Sequence, residues 1–166
     1  MRATAGFLIA LACAFSGTAT ADSTYHYLNR NFGYGFDVVL PFASLAVVPV
    51  DGNGEEFSSL KGHAKMQSWA TPLRGGTLND AIIASVKNFG GQGYFIASKL
   101  GDGKNWYEYI ANKNDQTVIV RFLSVCRGKA AAMVRISYPT SEDALFAASL
   151  KVVRETMRPN FTLCKI

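Results

Sequence analysis

The stretch GYFIASKLGDGKNWYEYIANKNDQTVIVRFLSVCRGKAAAMVRISYP, residues 93–139, determines the fold of the chain. It contains four runs rich in β-branched and aromatic residues, and three short polar connections separate them. Connections this short join neighbouring antiparallel strands, because a parallel crossover needs a dozen or more residues. We therefore predict an antiparallel meander of four strands, which are Gly93–Leu100, Asn105–Ala111, Gln116–Cys126 and Ala130–Tyr138.

The chain predicts a helix on either side of this meander. Before it, Thr77 can cap a helix with the help of Asp80, and Gly90-Gly91 ends that helix. The apolar residues of this helix share one face, and they are Leu78, Ile82, Val86 and Phe89. After the meander, Thr140 or Ser141 is predicted to cap a second helix over Glu142–Met157. Its apolar face consists of Phe146, Leu150, Val153 and Met157.

Short strands dominate the region before the first helix. Tyr25–Leu28 and Gly35–Leu40 are β-prone runs, and the second ends at Pro41. Residues 51–54 read Asp-Gly-Asn-Gly, which predicts a tight turn. Gly62–Ala70 alternates between two kinds of side chain, as expected of a strand with one buried face.

Residues 1–21 have the pattern of a secretory signal peptide. Arg2 gives a positive start, Gly6–Phe15 is an apolar run, and Ala19-Thr20-Ala21 is a small-residue cleavage site. The apolar run is shorter than the ~20 residues that cross a bilayer, and no later stretch is long enough. We therefore expect cleavage after Ala21, a single globular domain over residues 22–166, no membrane span in the mature chain, and a periplasmic or secreted location.

Cleavage would leave two of the three cysteines, Cys126 and Cys164. Two thiols in an oxidising compartment most often pair. The strand Ala130–Tyr138 leads away from Cys126 and the second helix leads back, so that the tail can bring Cys164 to its partner. We expect a structural disulfide here. The alternative, lipidation of Cys13, is disfavoured because Ala10 stands where lipoprotein signals usually have leucine.

The charge of the chain is mildly basic and evenly distributed. Seventeen Lys and Arg residues against twelve Asp and Glu give a formal net charge of +5. These basic residues form no run of the kind that binds nucleic acid. A weak preference for acidic partners follows, and nucleic acid is not an expected partner.

Several short motifs follow one another in an order that resembles a known family. They are Tyr27 with Asn29–Phe36, then Leu40-Pro41, Asp51–Ser59, the strand through Gly62–Ala64, Trp106–Tyr109, and Ile136–Pro139 running into the second helix. Together they resemble the PsbP-like fold family, which includes many bacterial exported proteins. The resemblance implies an α+β fold: an α/β/α sandwich around a central, mostly antiparallel sheet with two principal helices. It also implies binding or assembly rather than catalysis, and it transfers no catalytic residue.

The residue types that carry catalysis or bind metal do not form a recognisable pattern. His26 and His63 are isolated, no Gly-x-Ser-x-Gly turn accompanies them, and the late cysteines are explained by a bridge. Asp51, Asn53, Glu55 and Glu56 offer oxygen ligands around a turn, but their spacing departs from an EF-hand. We predict no catalytic residue, no cofactor and no metal site, while cation binding by the turn Asp51–Glu56 stays open.

The aromatic residues are the best candidates for contact with a partner. Trp69, Trp106, Tyr107 and Tyr109 can either form a binding face or pack in the core. The sequence therefore favours an exported, non-enzymatic accessory or binding module that engages another envelope protein. One specific form is an immunity-type inhibitor of an envelope hydrolase. The alternative is a small-ligand carrier or an enzyme, with a pocket around His63, Glu55 and Trp69.

Overall fold

The computed structural model describes residues 24–42, 48–50, 53–101 and 104–166. The predicted signal peptide, the first half of the turn Asp51–Gly54 and the centre of the loop after Leu100 lie outside the described residues. The strands are β1 (Tyr25–Asn29), β2 (Tyr34–Val38), β3 (Val48–Val50), β4 (Gly54–Ser58), β5 (Lys65–Pro72), β6 (Phe95–Gly101), β7 (Trp106–Lys113), β8 (Gln116–Val125), β9 (Ala130–Pro139) and β10 (Arg158–Pro159). The helices are α1 (Leu78–Gly91) and α2 (Asp143–Thr156).

Seven of these strands form one antiparallel sheet in the order β3-β4-β5-β9-β8-β7-β6. The predicted meander is confirmed, because β6, β7, β8 and β9 are consecutive neighbours in this sheet. The strand predicted over Gly62–Ala70 is β5, which pairs with β9. The pairing of β6 with β7 shifts register between Ile96 and Ser98.

The two faces of this sheet bury separate apolar clusters, because neighbouring side chains on a strand point to opposite faces. On β8, Val118, Val120 and Phe122 pack toward α1, whereas Ile119 and Leu123 pack toward α2 and the small sheet. Helix α1 therefore covers one face, and α2 with the small sheet covers the other. This is the predicted α+β architecture, with helices on both sides of a mostly antiparallel sheet.

Helix α1 begins as the sequence predicts. The Thr77 hydroxyl accepts a hydrogen bond from the Asp80 amide, and the Asp80 carboxylate accepts one from the Thr77 amide at 2.7 Å. Leu78, Ile82 and Phe89 are buried against the sheet.

The predicted cap of α2 is wrong. The helix begins at Asp143, after a 3₁₀ turn over Thr140–Glu142, and the residue before it, Glu142, makes no side-chain capping bond. The Thr140 hydroxyl instead shares a hydrogen bond with the Thr117 hydroxyl of β8 at 2.9 Å. This contact to the sheet occupies the side chain that the sequence assigns to the cap.

The C-terminal tail is part of the small sheet, whose strand order is β1-β2-β10. Beyond β10, the Asn160 amide donates to the Gly33 carbonyl at 2.6 Å. Gly33 has a φ of +58°, and a Cβ placed on it would collide with the Asn160 carbonyl oxygen. The predicted disulfide between Cys126 and Cys164 is confirmed, with Cα atoms 5.4 Å apart. It fastens the tail to the turn between β8 and β9.

Candidate functional site

The outer strand β6 is exposed on both of its faces. Only Ile96 is partly buried, whereas Phe95 and Leu100 are 72% and 52% exposed. One edge of β6 pairs with β7, and the other, outer edge has no neighbour among the described strands. An apolar strand of this kind marks an interaction surface or an aggregation hazard, which soluble proteins avoid unless a partner covers it.

A groove runs beside β6 on the side of the sheet that carries α1. It has a volume of about 370 Å³, and we call it the α1 groove. One wall consists of residues of α1, Lys99 of β6 lies on the other side, and Tyr107 of β7 lies between them. The lining residues are Asn79, Ile82, Ile83, Val86, Lys87, Lys99 and Tyr107. Ile83 is 57% exposed although it is apolar, so the groove offers apolar surface to a ligand.

The electrostatics of the α1 groove are positive. Lys87 comes from the helix and Lys99 from the strand, and none of the lining residues is acidic. Desolvation by burial raises the pKa of the Tyr107 hydroxyl, so this group stays neutral and can donate a hydrogen bond. The acid nearest in sequence on the helix, Asp80, is engaged in the cap of α1, and its pKa is lowered by the Thr77 backbone bond. The groove can therefore hold apolar groups that carry negative charge at their margins.

The four aromatic residues singled out from the sequence do not form one face. Tyr107 lines the α1 groove, and Trp69 is partly buried against the same apolar cluster. Trp106 packs against the opposite cluster, beneath the guanidinium group of Arg121 at 4.5 Å. Tyr109 is fully buried and shares a hydrogen bond with the Ser85 hydroxyl at 2.7 Å. The Tyr109 side chain therefore offers no exposed surface to a partner, and a partner-binding role of Trp69, Trp106 and Tyr107 stays a prediction.

His63, Glu55 and Trp69 lie apart, so they do not line a common pocket of the kind that the sequence suggested. His63 lies at the opposite end of β5, with its Nδ1 4.0 Å from a carboxylate oxygen of Glu142. Glu55 accepts a hydrogen bond from the Tyr25 hydroxyl at 3.5 Å on the small-sheet side, whereas Trp69 packs on the α1 side. His26, the other candidate histidine, is exposed, and its Nδ1 lies 2.6 Å from a carboxylate oxygen of Asp37.

The acidic turn does not gather its carboxylates in the part that the structure describes. Glu56 is bound by Lys65 at 2.8 Å and by Gln67, and the Lys65 hydrogen bond lowers the pKa of Glu56. Glu55 points to the other face of the sheet, and burial raises its pKa. Across the described residues, no group of three or more His, Cys, Asp or Glu side chains could hold a metal ion.

A buried charged cluster under α2 was not recognised from the sequence. Glu108 of β7 is 1% exposed and accepts hydrogen bonds from Arg121 of the neighbouring strand at 3.2 Å and from Arg154 of α2. Desolvation lowers the pKa of Arg121, whereas the hydrogen bond to Glu108 raises the pKa of Arg154. The Arg121 Nε atom is buried and has no hydrogen-bond partner among the residues that the structure describes. Because both arginines already donate hydrogen bonds to the Glu108 carboxylate, the cluster links α2 to the sheet and has a structural role.

No protein-family model and no curated protein sequence matches the chain. Solved structures do match it. The Ran-binding protein Mog1p of Saccharomyces cerevisiae superposes with a TM-score of 0.59 and 10% identity, covering 87% of this chain and all of Mog1p. The cyanobacterial PsbP (CyanoP) of Synechocystis sp. PCC 6803 superposes with a TM-score of 0.60 and 13% identity, covering 89% of this chain and 98% of CyanoP. Within the described residues, no helix is long and apolar enough to span a membrane. The chain therefore has the PsbP-like α+β fold, which CyanoP and Mog1p share with it.

Proposed function

We propose that the chain is an exported, non-enzymatic accessory module that binds another protein of the cell envelope through β6. The observation that carries this proposal is the exposure of β6 on both faces. Mog1p, which is similar in fold, is a Ran-binding protein, and this supports protein binding as a use of the scaffold. The disulfide between Cys126 and Cys164 suits an oxidising compartment, and the sequence of residues 1–21 suits export.

The test is affinity capture with the oxidised mature chain from a gently extracted native envelope. We expect a specific protein partner, bound more weakly by the variant Leu100→Ser because Leu100 presents exposed apolar surface on β6. Leu145→Ser is the matched control, since Leu145 of α2 is exposed to 51% and Leu100 to 52%. The proposal would be contradicted if no protein is captured, or if both variants lose binding of the partner to the same extent. Recovery of a hydrolase that the chain inhibits would identify the immunity-type form.

Localisation has its own test. We expect the protein in the envelope fraction to lack residues 1–21 and to begin at Asp22, because small residues occupy the cleavage site. N-terminal sequencing of the purified mature protein checks this. An N-terminus upstream of Asp22 in the cytoplasmic fraction would contradict export.

A further inference from the structure

Beside α1, the large sheet has a polar face that solvent reaches. On β5, Met66, Ser68 and Ala70 are buried on the side of the small sheet, whereas the side chains between them, on the side of α1, are partly or fully exposed. The end of β9 alternates in the same way, and Arg135 and Ser137 are partly exposed there. We call this surface the open face, and it consists of Glu56, Lys65, Gln67, Trp69, Arg135 and Ser137.

Arg135 is the charged residue of the open face that lacks a partner. The Glu56 carboxylate accepts hydrogen bonds from Lys65 and from Gln67, both at 2.8 Å. Arg135 forms no side-chain hydrogen bond or ion pair with any residue that the structure describes. Its neighbours across the strands are Gln67 and Val120, and Glu56 lies two strands away, about 10 Å. The guanidinium group therefore has no counter-charge in contact with it.

The guanidinium group of Arg135 is already positioned in the free chain. It lies over the Phe89 ring of α1, with the Cζ atom 5.0 Å from the ring centroid. Nε is the nitrogen of this group that is buried without a partner, so the two Nη atoms reach the surface. Two free Nη atoms match the two oxygens of a carboxylate. Because the group is held on Phe89, a carboxylate that binds it loses less conformational entropy.

The surroundings of Arg135 favour a carboxylate of a protein over a phosphate group. Trp69 is a diagonal neighbour of Arg135, since Trp69 pairs with Met133 and Arg135 with Gln67, and it is partly exposed. Tryptophan and arginine are enriched among the residues that dominate protein–protein binding energies. Phosphate sites instead use helix N-termini or concave groups of backbone N–H donors. The open face offers one free guanidinium group on strands, beside a lysine that is already paired.

We propose that the open face binds a protein, whose Asp or Glu side chain accepts hydrogen bonds from both Nη atoms of Arg135. Trp69 packs against the apolar side chains beside that acid. This surface goes beyond the proposed function and does not depend on β6, because β8 and β7 separate β9 from β6 in the sheet. The bound acid supplies the counter-charge that Arg135 lacks in the free chain.

Capture with variants of the mature oxidised chain tests the proposal. A photo-crosslinking residue at position 137, on the same face of β9 as Arg135, marks the protein bound there in a gently extracted native envelope. Arg135→Gln removes the charge and should weaken binding of that protein about tenfold or more. Arg135→Lys should also weaken it, because lysine cannot contact both carboxylate oxygens. Arg30→Gln is the matched control and should leave the affinity unchanged, since Arg30 is exposed between β1 and β2.

Ser137→Glu gives a second test that keeps Arg135 and its contact with Phe89. It places a carboxylate of the chain itself beside Arg135, where that group repels the acid of the partner. Binding of the partner should weaken by a similar factor of about ten. Circular dichroism and urea denaturation check that each variant is folded.

The crosslinked segment, identified by mass spectrometry, decides between the outcomes. The proposal is supported if the segment contains an Asp or Glu whose exchange with Arg135 restores the binding that each single change removes. A segment without an acid, a second copy of this chain, no crosslink at position 137, or unchanged affinity of the Arg135→Gln variant overturns it. The proposed function then stands if Leu100→Ser still weakens capture. A partner lost with Arg135→Gln but retained with Leu100→Ser supports the open face and contradicts the use of β6. Failure of the unaltered chain to capture any protein overturns both.

Discussion

Replacing Glu108 by glutamine should destabilise the protein far more than the same substitution at a surface glutamate would. The substitution keeps the size of the side chain and removes its charge. Glu108 is the common acceptor of Arg121 and Arg154, and the Arg121 side chain is only 11% exposed. Without the carboxylate, Arg121 becomes a buried cation that has no counter-charge within the cluster.

The expected loss of stability follows from how deeply each arginine partner of Glu108 is buried. Removing one member of a buried ion pair costs about 3–5 kcal/mol, and most of this falls on Arg121. The Arg154 side chain is 37% exposed and can turn toward water, so its share is about 1 kcal/mol or less. In a domain of this size, each kcal/mol lowers the melting temperature by about 3 °C. We therefore expect Glu108→Gln to lower the melting temperature by about 10–15 °C.

Urea denaturation and thermal melting, followed by circular dichroism, measure this loss. Glu155→Gln is the matched control, because it makes the same chemical change at an exposed position of α2 and should cost under about 0.5 kcal/mol. Adding Arg121→Met to Glu108→Gln should recover a large part of the stability, since the unpaired buried cation is then gone. The reasoning is refuted if the Glu108→Gln variant is as stable as the Glu155→Gln variant. It is also refuted if adding Arg121→Met lowers the stability of the Glu108→Gln variant further instead of restoring it.

Four further perturbations have expected outcomes. Thr77→Ala should reduce the free energy of unfolding by about 1 kcal/mol in denaturant titrations, because it removes the cap of α1. Asp80→Asn should lower stability at neutral pH. The difference from the unaltered protein should disappear as the pH falls through the depressed pKa of Asp80, below its ordinary 3.8, and a constant difference would contradict this. Replacing Cys126 and Cys164 by serine should cost about 4 kcal/mol for a separation of 38 residues, and reduction of the unaltered protein should reproduce that loss. Gly33→Ala should cost about 2 kcal/mol or more and expose the tail to protease, because of its positive φ and the Asn160 carbonyl.

Local signals in the sequence predict the meander and both helices. The sequence predicts a short connection over Asn112–Asp115, so the strands on either side of it had to be antiparallel neighbours, as β7 and β8 are. The spacing of Leu78, Ile82 and Phe89 leaves one apolar face, and the Thr77 cap needs only residues within one turn. Such features depend on a few neighbouring residues and can be recognised without knowledge of the tertiary structure.

The features that the sequence did not reveal depend on contacts between distant residues. Glu108 lies opposite Arg121 because of the register of β7 and β8, and Arg154 reaches both only after α2 has docked. The cap of α2 was mispredicted because Thr117, 23 residues away, binds the Thr140 hydroxyl. Alternation along β7 gives one usable signal: Glu108 has the same parity as Trp106 and Ile110, so a carboxylate on that face needs a cation opposite it.

The strand order β1-β2-β10 also has a consequence for biosynthesis. The ribosome makes β1 and β2 first, but the second hydrogen-bonding edge of β2 is filled by Arg158 and Pro159, which are made more than a hundred residues later. The hairpin of β1 and β2 therefore cannot complete its sheet until the ribosome has made residues 158 and 159. Until then one hydrogen-bonding edge of β2 stays open, so the small sheet reaches its native structure late in folding.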